Sequence, residues 1–145
     1  MVREAVKEDL DKILELYLFL HEDSLPAKDQ KLNDTWEKII NDPDHHLIVK
    51  EIGGQIVSSC VCVIIPNLTR NIRPYAFIEN VVTREDFRGR GYASECLSYA
   101  KKISEEAGCY KMMLLTGSKR ASTLAFYERN GFNSNDKTAF IQWLK

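Results

Sequence analysis

Two runs of strand-forming residues, HLIVKEI (His46–Ile52) and QIVSSCVCVII (Gln55–Ile65), are separated by Gly53-Gly54 alone. A two-glycine link between such runs predicts a tight hairpin, because the turns that match strand twist need positive φ at their central residues. Two residues cannot carry the long crossover that parallel neighbours need. The chain is therefore committed to an antiparallel pair in its first half.

Other elements read outward from that hairpin. Val2 to Val6 forms a short first strand. Leu10, Ile13, Leu14, Tyr17 and Leu20 recur at helical spacing. Trp36, Ile39 and Ile40 predict a second helix that stops at Asp42-Pro43. Pro66 ends the hairpin, NLTRNIRP is a polar loop, and Tyr75 to Arg84 is another strand. Ala93, Cys96, Leu97, Ala100, Ile103 and Ala107 then line one face of a helix, with Gly108 at its C-terminus. Tyr110 to Thr116 reads as a strand, Ser122 to Asn130 as a helix closed by Gly131, and Thr138 to Leu144 as a last strand. The order is mixed α/β, with the hairpin first and β-α-β-α-β after it. No repeat, low-complexity tract or linker interrupts residues 1–145, so one domain is expected.

Composition removes several classes of function. Net charge is −1, with 28% charged and 44% apolar residues, so no global basic field points to nucleic acid. The opening MVREAVKEDL is too charged for a signal peptide, and no apolar run is long enough to span a membrane. A cytoplasmic location is expected. Cys60, Cys62, Cys96 and Cys109 form no zinc-type pair and are read as reduced core residues, with no metal expected. His21, His45 and His46 have no triad or metal spacing around them.

The chemistry concentrates in FRGRGYASE, Phe87–Glu95, which lies between a strand and a helix. A helix N-terminus carries unpaired N–H groups and partial positive charge. Glycines there let several N–H groups face one anion, and Arg88 and Arg90 add full charge beside them. Phosphate or pyrophosphate binding is implied. A tight turn with solvated arginines is the plainer alternative for this stretch alone. A Walker loop fails because Gly91 is followed by Tyr92-Ala93-Ser94, and a Rossmann fingerprint fails because Ser94 stands where its third glycine belongs.

The spacing that fits is Arg-x-x-Gly-x-Ala, as Arg88, Gly91 and Ala93. Here the chain resembles the GNAT superfamily of acyl-CoA-dependent N-acetyltransferases. Ala125-Phe126-Tyr127-Glu128-Arg129-Asn130-Gly131-Phe132 is similar to that family's F-Y-x-x-x-G-F ending, and VREAVKEDLDKI is similar to its first strand and helix. The resemblance covers essentially the whole chain. It implies a mixed, mostly antiparallel sheet flanked by helices, with two splayed parallel central strands, Tyr75–Arg84 and Tyr110–Thr116, forming an acetyl-CoA cleft.

The resemblance also implies roles. Val81, Val82 and Thr83 offer backbone groups to the pantetheine arm, and an N–H near Val81 or Val82 polarises the thioester. Arg88, Gly89, Arg90, Gly91, Tyr92 and Ala93 wrap the pyrophosphate. Tyr127 matches the acid that protonates the departing thiolate, its alternative being a core aromatic. Glu79, in the apolar strand FIENVV, is the base candidate, direct or through water. Burial there would raise its pKa, and a salt bridge to Arg73 or Arg84 is its other reading. Arg120 stands where many members carry an asparagine that contacts coenzyme A. With Lys119 it either meets the 3′-phosphate or forms a solvated basic turn. Some peptide-acetylating members carry a glutamate where this chain has Leu115, so that base is not carried over.

By the same analogy NLTRNIRP borders the acceptor pocket, where Arg70 and Arg73 either bind an anionic group or are merely solvated. The expected activity is acetyl transfer from acetyl-CoA to a primary amine of a small molecule, by direct attack in a ternary complex. A protein or peptide N-acetyltransferase and a non-catalytic acyl-CoA-binding regulator are the alternatives. Dimers are common in the family, and TAFIQWL, with Phe140 and Trp143, can extend a sheet or cover a homodimer interface. Packing within one chain is the simpler reading.

Overall fold

The computed structural model describes residues 1–145. Its sheet runs in the order β1 (Val2–Glu4), β2 (His45–Ile52), β3 (Gln55–Ile65), β4 (Tyr75–Thr83) and β5 (Met112–Leu114). The first three pairings are antiparallel and β4–β5 is parallel. The β2–β3 hairpin turns through Gly53 at φ 56° and Gly54 at φ 78°, the left-handed pair its sequence demands.

Helices α1 (Leu10–Tyr17) and α2 (Gln30–Asn41) cover one face, and α4 (Tyr92–Glu106) and α5 (Ala121–Arg129) the other. The strands sort side chains between the layers by simple alternation. On β2, Leu47 and Val49 pack with Ile13, Leu16 and Trp36, while Ile48 joins Cys96, Leu97 and Ala100. On β3, Val61 faces the first cluster and Cys60, Cys62 and Ile64 the second. Ser58 and Ser59 are fully buried on this strand and satisfied there, donating to Val82 O at 3.0 Å and Ile48 O at 2.7 Å. All four cysteines are free thiols. Burial pushes Cys60 well up and Cys96 to about 11, so both stay protonated at neutral pH.

The feature that shapes the cleft is an irregularity in β4. Ser59 pairs with Val82 and Val61 with Glu79, so Asn80 and Val81 together oppose Cys60. This is a β-bulge, and Asn80 adopts φ 51° within it. On the other side, the β4–β5 ladder ends at Ile78↔Leu114. Beyond Ile78 the two parallel strands no longer pair, in keeping with the splay that the resemblance implies.

Three elements differ from the sequence reading. β5 holds three residues instead of the seven from Tyr110 to Thr116, because its ladder stops where β4 bends away. The polar loop contains a one-turn segment, α3 (Thr69–Ile72), in which Arg70, Asn71 and Ile72 take φ of 55°, 60° and 61°. Asn67 holds that turn through Thr69 O, Thr69 Oγ1 and Arg73 O at 3.1, 2.8 and 3.1 Å. The last strand, Thr138–Leu144, does not form. Phe140, Ile141, Trp143 and Leu144 are 90%, 65%, 84% and 88% exposed, so the run has strand propensity but pairs with no edge of its own chain.

A partly buried ion pair anchors the start of the fold. Arg3 on β1 grips Asp9 with both terminal nitrogens, at 2.7 and 3.1 Å, and also reaches Glu51 at 2.8 Å. Asp9 is 4% exposed and also accepts the Val6 amide at 2.8 Å. Arg3's hydrogen bonds hold the Asp9 carboxyl below the usual carboxylate range. Such a group stabilises the fold above its unfolded pKa, and that contribution is lost as pH falls through its lower folded value. We predict that Asp9→Asn destabilises the protein by about 2 kcal/mol at neutral pH, read by urea unfolding. The difference from wild type should shrink as acid protonates Asp9. A difference that stays constant into strong acid would remove Asp9 ionisation as its source.

Candidate functional site

Where β4 and β5 part, a cleft of about 440 Å³ opens. Its walls are Phe19 and Leu20 beyond α1, Val81–Thr83 on β4, the loop from Phe87, the first turn of α4, and Thr123, Phe126, Tyr127 and Arg129 on α5. Most of the sequence-predicted cofactor residues meet here: Val81, Val82, Thr83, Arg88, Gly89, Gly91, Tyr92 and Ala93 all line it.

The loop is built to leave amides open. Gly89 and Gly91 sit at φ 76° and 82°, and no atom lies within 4 Å of where a Cβ would stand on either. The Arg88 amide donates to Glu85 O at 3.3 Å, and the next amide along the chain to find a backbone acceptor is Glu95, to Gly91 O at 3.0 Å. The six amides from Gly89 to Ser94 therefore have no backbone partner. They form a concave donor surface at the positive end of a 15-residue helix. Arg88 Nε braces the loop by donating to Thr83 O at 3.1 Å. The Arg90 guanidinium lies 5.1 Å from the Phe87 ring centroid, held beside the loop. A multiply charged oxyanion is the ligand such a surface fits, and the open space over both glycines leaves room for it.

Tyr127 projects from α5 into the other side of the cleft. Its ring packs edge-on against Phe126 at 5.0 Å and Phe132 at 6.1 Å. Gly131, at φ 91°, ends α5 and swings Phe132 back, where its amide bonds Tyr127 O at 3.1 Å. The aromatic pair fixes the ring and half-buries it. Burial raises the phenol pKa above its ordinary value of 10.0, so it remains a proton donor through the neutral range.

Glu79 departs from expectation. It is exposed, not buried, and forms no ion pair with Arg73 or Arg84. The reason is the splay: β5 no longer covers β4 at this point. The two arginines are also engaged elsewhere. Arg84 lies 3.5 Å from Asp86 and 5.2 Å from the Phe19 ring centroid. Arg73 donates to Gly108 O and Cys109 O at 3.1 and 3.0 Å, tying the α3 loop to the end of α4. Glu79 shares the sheet face of its register partner Val61, on the α1–α2 side, whereas Tyr127 packs on the α4–α5 side. The carboxylate and the phenol thus lie on opposite faces of the sheet, with the gap between β4 and β5 connecting them.

The remaining predicted residues lie outside the cleft lining. Arg70 and Arg73 precede β4, at the end of the sheet away from the glycine loop, and Arg70 sits 5.4 Å from the Tyr110 ring centroid. Arg120 is the N-cap residue of α5 and bonds Ser118 Oγ through its amide at 3.3 Å. Of the histidines, His46 pairs with Glu4 at 2.6 Å, outside the cleft lining. Phe19, Leu20, Thr123 and Arg129 line the cleft although sequence reasoning does not reach them. Leu20 continues the apolar spacing of the first helix and so reads as core. Nothing in the sequence singles out the other three.

Residues 10–132 match the Acetyltransferase (GNAT) family. Over 84 residues the chain is 36% identical to the glucosamine 6-phosphate N-acetyltransferase of Trypanosoma brucei brucei, covering 58% of this chain and 55% of that protein. The fold superposes with a TM-score of 0.90 on a protein from Agrobacterium tumefaciens str. C58, named only provisionally as an acetyltransferase, at 38% identity and 99% coverage of each chain. A transcriptional regulator from Bacillus halodurans C-125 superposes with a TM-score of 0.84, at 28% identity and 99% coverage of each chain. The chain spans 55% and 64% of the length of the two curated relatives it matches.

If the open amides are the anion site, a carboxylate placed among them must repel the ligand. We predict that Gly91→Glu lowers coenzyme A affinity at least a hundredfold in calorimetric titration. Gly91→Ala, which carries the backbone strain without the charge, should lose roughly tenfold. Equal losses in the two variants would put the effect in the backbone and the phosphates elsewhere.

Proposed function

Because the chain belongs to the GNAT acetyltransferase family, we propose that it transfers an acetyl group from acetyl-CoA to a primary amine of a small molecule, by direct attack in a ternary complex. The observation that carries this reading is the run of unpartnered amides from Gly89 to Ser94, opening into the same cleft as Tyr127. One end of that cleft suits a pyrophosphate and the other holds a proton donor.

In this reading, Arg88–Ala93 bind the pyrophosphate of the cosubstrate, and the pantetheine arm lies along Val81–Thr83. Arg120 and Lys119 meet the 3′-phosphate. The Val81 and Val82 region, freed from β5 and distorted by the bulge, supplies the N–H that polarises the thioester carbonyl. The acceptor's nitrogen attacks the carbonyl carbon through the gap. An N–C bond forms, the C–S bond breaks, and acetyl passes to nitrogen. Two protons must move. Glu79 takes the one lost by the amine, directly or through water. Tyr127 gives one to the departing sulfur. Their placement on opposite sheet faces gives the base access to the amine and the acid access to the sulfur as separate groups. The exposure of Glu79 suits a base that accepts from a solvated ammonium. Arg70 offers a cation on the acceptor side, and Arg73 shapes the same loop.

An amino sugar phosphate is the first acceptor to try, because the Trypanosoma relative is named for one. The likeness to a structure named as a transcriptional regulator keeps a second reading in view, in which the chain binds acyl-CoA without turning it over.

Free-thiol release from acetyl-CoA across a panel of glucosamine 6-phosphate, polyamines, aminoglycosides, amino acids and short peptides tests the proposal. Release with one small-amine class supports it. Binding of acetyl-CoA with silence across the panel would transfer weight to the regulator. With the active amine in hand, Tyr127→Phe should lower kcat at least tenfold and leave coenzyme A affinity within twofold. The wild-type rate should hold into the alkaline range, because the phenol ionises above its ordinary value. Unchanged turnover in Tyr127→Phe would remove it as the acid.

A further inference from the structure

Lys50 is a cation in a place that packing alone would give to an apolar residue. It stands two residues beyond Ile48 on β2, on the same sheet face, and its register partner on β1 is Val2. Ile48 and Val2 both pack into the layer under α4. The Lys50 side chain is only 13% exposed, so its ammonium is largely withdrawn from water. It sits beside the first turn of α4, the positive end of that helix, where the dipole opposes a further cation. Contact with Glu95 raises the Lys50 pKa above its ordinary value, so the charge persists there.

Its neighbours give this placement a purpose. Lys50 Nζ lies 3.0 Å from Glu95 Oε2 and 5.2 Å from the Tyr92 ring centroid, and both residues belong to the first turn of α4. Tyr92 stands 6.3 Å from Phe87, whose ring has the Arg90 guanidinium beside it. Cation, ring, ring and cation thus follow one another across the glycine loop, and both rings line the cleft. Lys50 itself lies outside the cleft lining.

Glu95 is the group that needs restraint. Helical side chains lean toward the N-terminus of their helix. A carboxylate at this position can therefore turn back onto the amides of its own first turn, which no side chain caps. Those amides want an anion, and a carboxylate tethered a few bonds away would compete with any anion arriving from solution.

We propose that Lys50 is a positioning residue for the cosubstrate: it holds the Glu95 carboxylate on the sheet side of α4, clear of the open amides, and steadies Tyr92 at their rim. The inference rests on the reading of those amides as the pyrophosphate site. The Lys50–Glu95 pair keeps the site empty of the chain's own anion until the cosubstrate arrives.

Calorimetric titration with coenzyme A tests this on wild type, Lys50→Met, Glu95→Gln and the double variant. Lys50→Met should bind about tenfold more weakly. Glu95→Gln should stay within about twofold of wild type, and adding it to Lys50→Met should bring binding back to within about threefold. A lysine that merely props the helix would not be rescued by removing the carboxylate. The amide resonances of residues 89–94 give a readout that needs no cosubstrate. In Lys50→Met they should shift further with acid than in wild type, and the excess should vanish in the double variant. Undiminished affinity in Lys50→Met, a loss that persists beside Glu95→Gln, or no excess amide shift would each overturn the proposal. If Lys50→Met does not fold, Lys50→Gln carries the same comparison. Failure of the wild type to bind coenzyme A would instead remove the proposed function, and the amide resonances alone would then decide whether Lys50 restrains Glu95.

Discussion

The extra residue in β4 is the constraint on which the site depends. A regular strand would continue its ladder with β5 past Ile78, close the gap and pair the backbone near Val81. Instead Asn80 takes a left-handed conformation opposite Cys60, and β4 bends away. A non-glycine residue at positive φ carries a cost of about 1–2 kcal/mol, which the structure must offset elsewhere. It does so with β3. That strand is buried on both faces and holds β4 through Ser58, whose hydroxyl donates to Val82 O and lies 2.8 Å from Thr83 Oγ1. The rigid hairpin permits the irregular strand, and the irregular strand makes the cleft.

A second division of labour lies in the glycine loop. Open amides are a liability in a folded protein unless water or a ligand meets them. Here they are exposed at the surface, and Arg88 braces the loop through a carbonyl instead of filling the site. Stability comes from the layers on either side, from the Arg3–Asp9 clasp and from Trp36, whose indole donates to Lys7 O at 3.0 Å and ties α2 to the first turn. The Arg3–Asp9 clasp and the Trp36 hydrogen bond lie outside the cleft lining, whereas Val82, Phe126 and Tyr127 serve both the packed layers and the cleft wall.

Much of this is legible in the sequence for physical reasons. The hairpin is readable because two glycines admit few turns. The loop before α4 is readable because glycines, arginines and a helix start fall together. The α4 face is readable from its spacing. The bulge is not, because Asn80 in FIENVV looks like an ordinary strand position. For the same reason the sequence points to a buried Glu79, since its neighbours along the chain are apolar and the loss of β5 cover is a tertiary fact. The final strand is expected but absent because alternation reports propensity, whereas a strand needs a partner edge. Phe19 and Arg129 reach the cleft through helix packing, which spacing along one element does not reveal.

The α3 loop has its own consequence. Arg70, Asn71 and Ile72 are three successive residues in left-handed conformation without a glycine among them. Few core contacts enforce that shape; Asn67 and the Arg73 contacts to Gly108 and Cys109 do. Opening the loop would release strain while breaking few bonds, so its free energy of opening lies far below that of the sheet. It is a segment able to vary in length and sequence among descendants. Under the proposed function, such variation would change acceptor preference while the cosubstrate grip stays as it was.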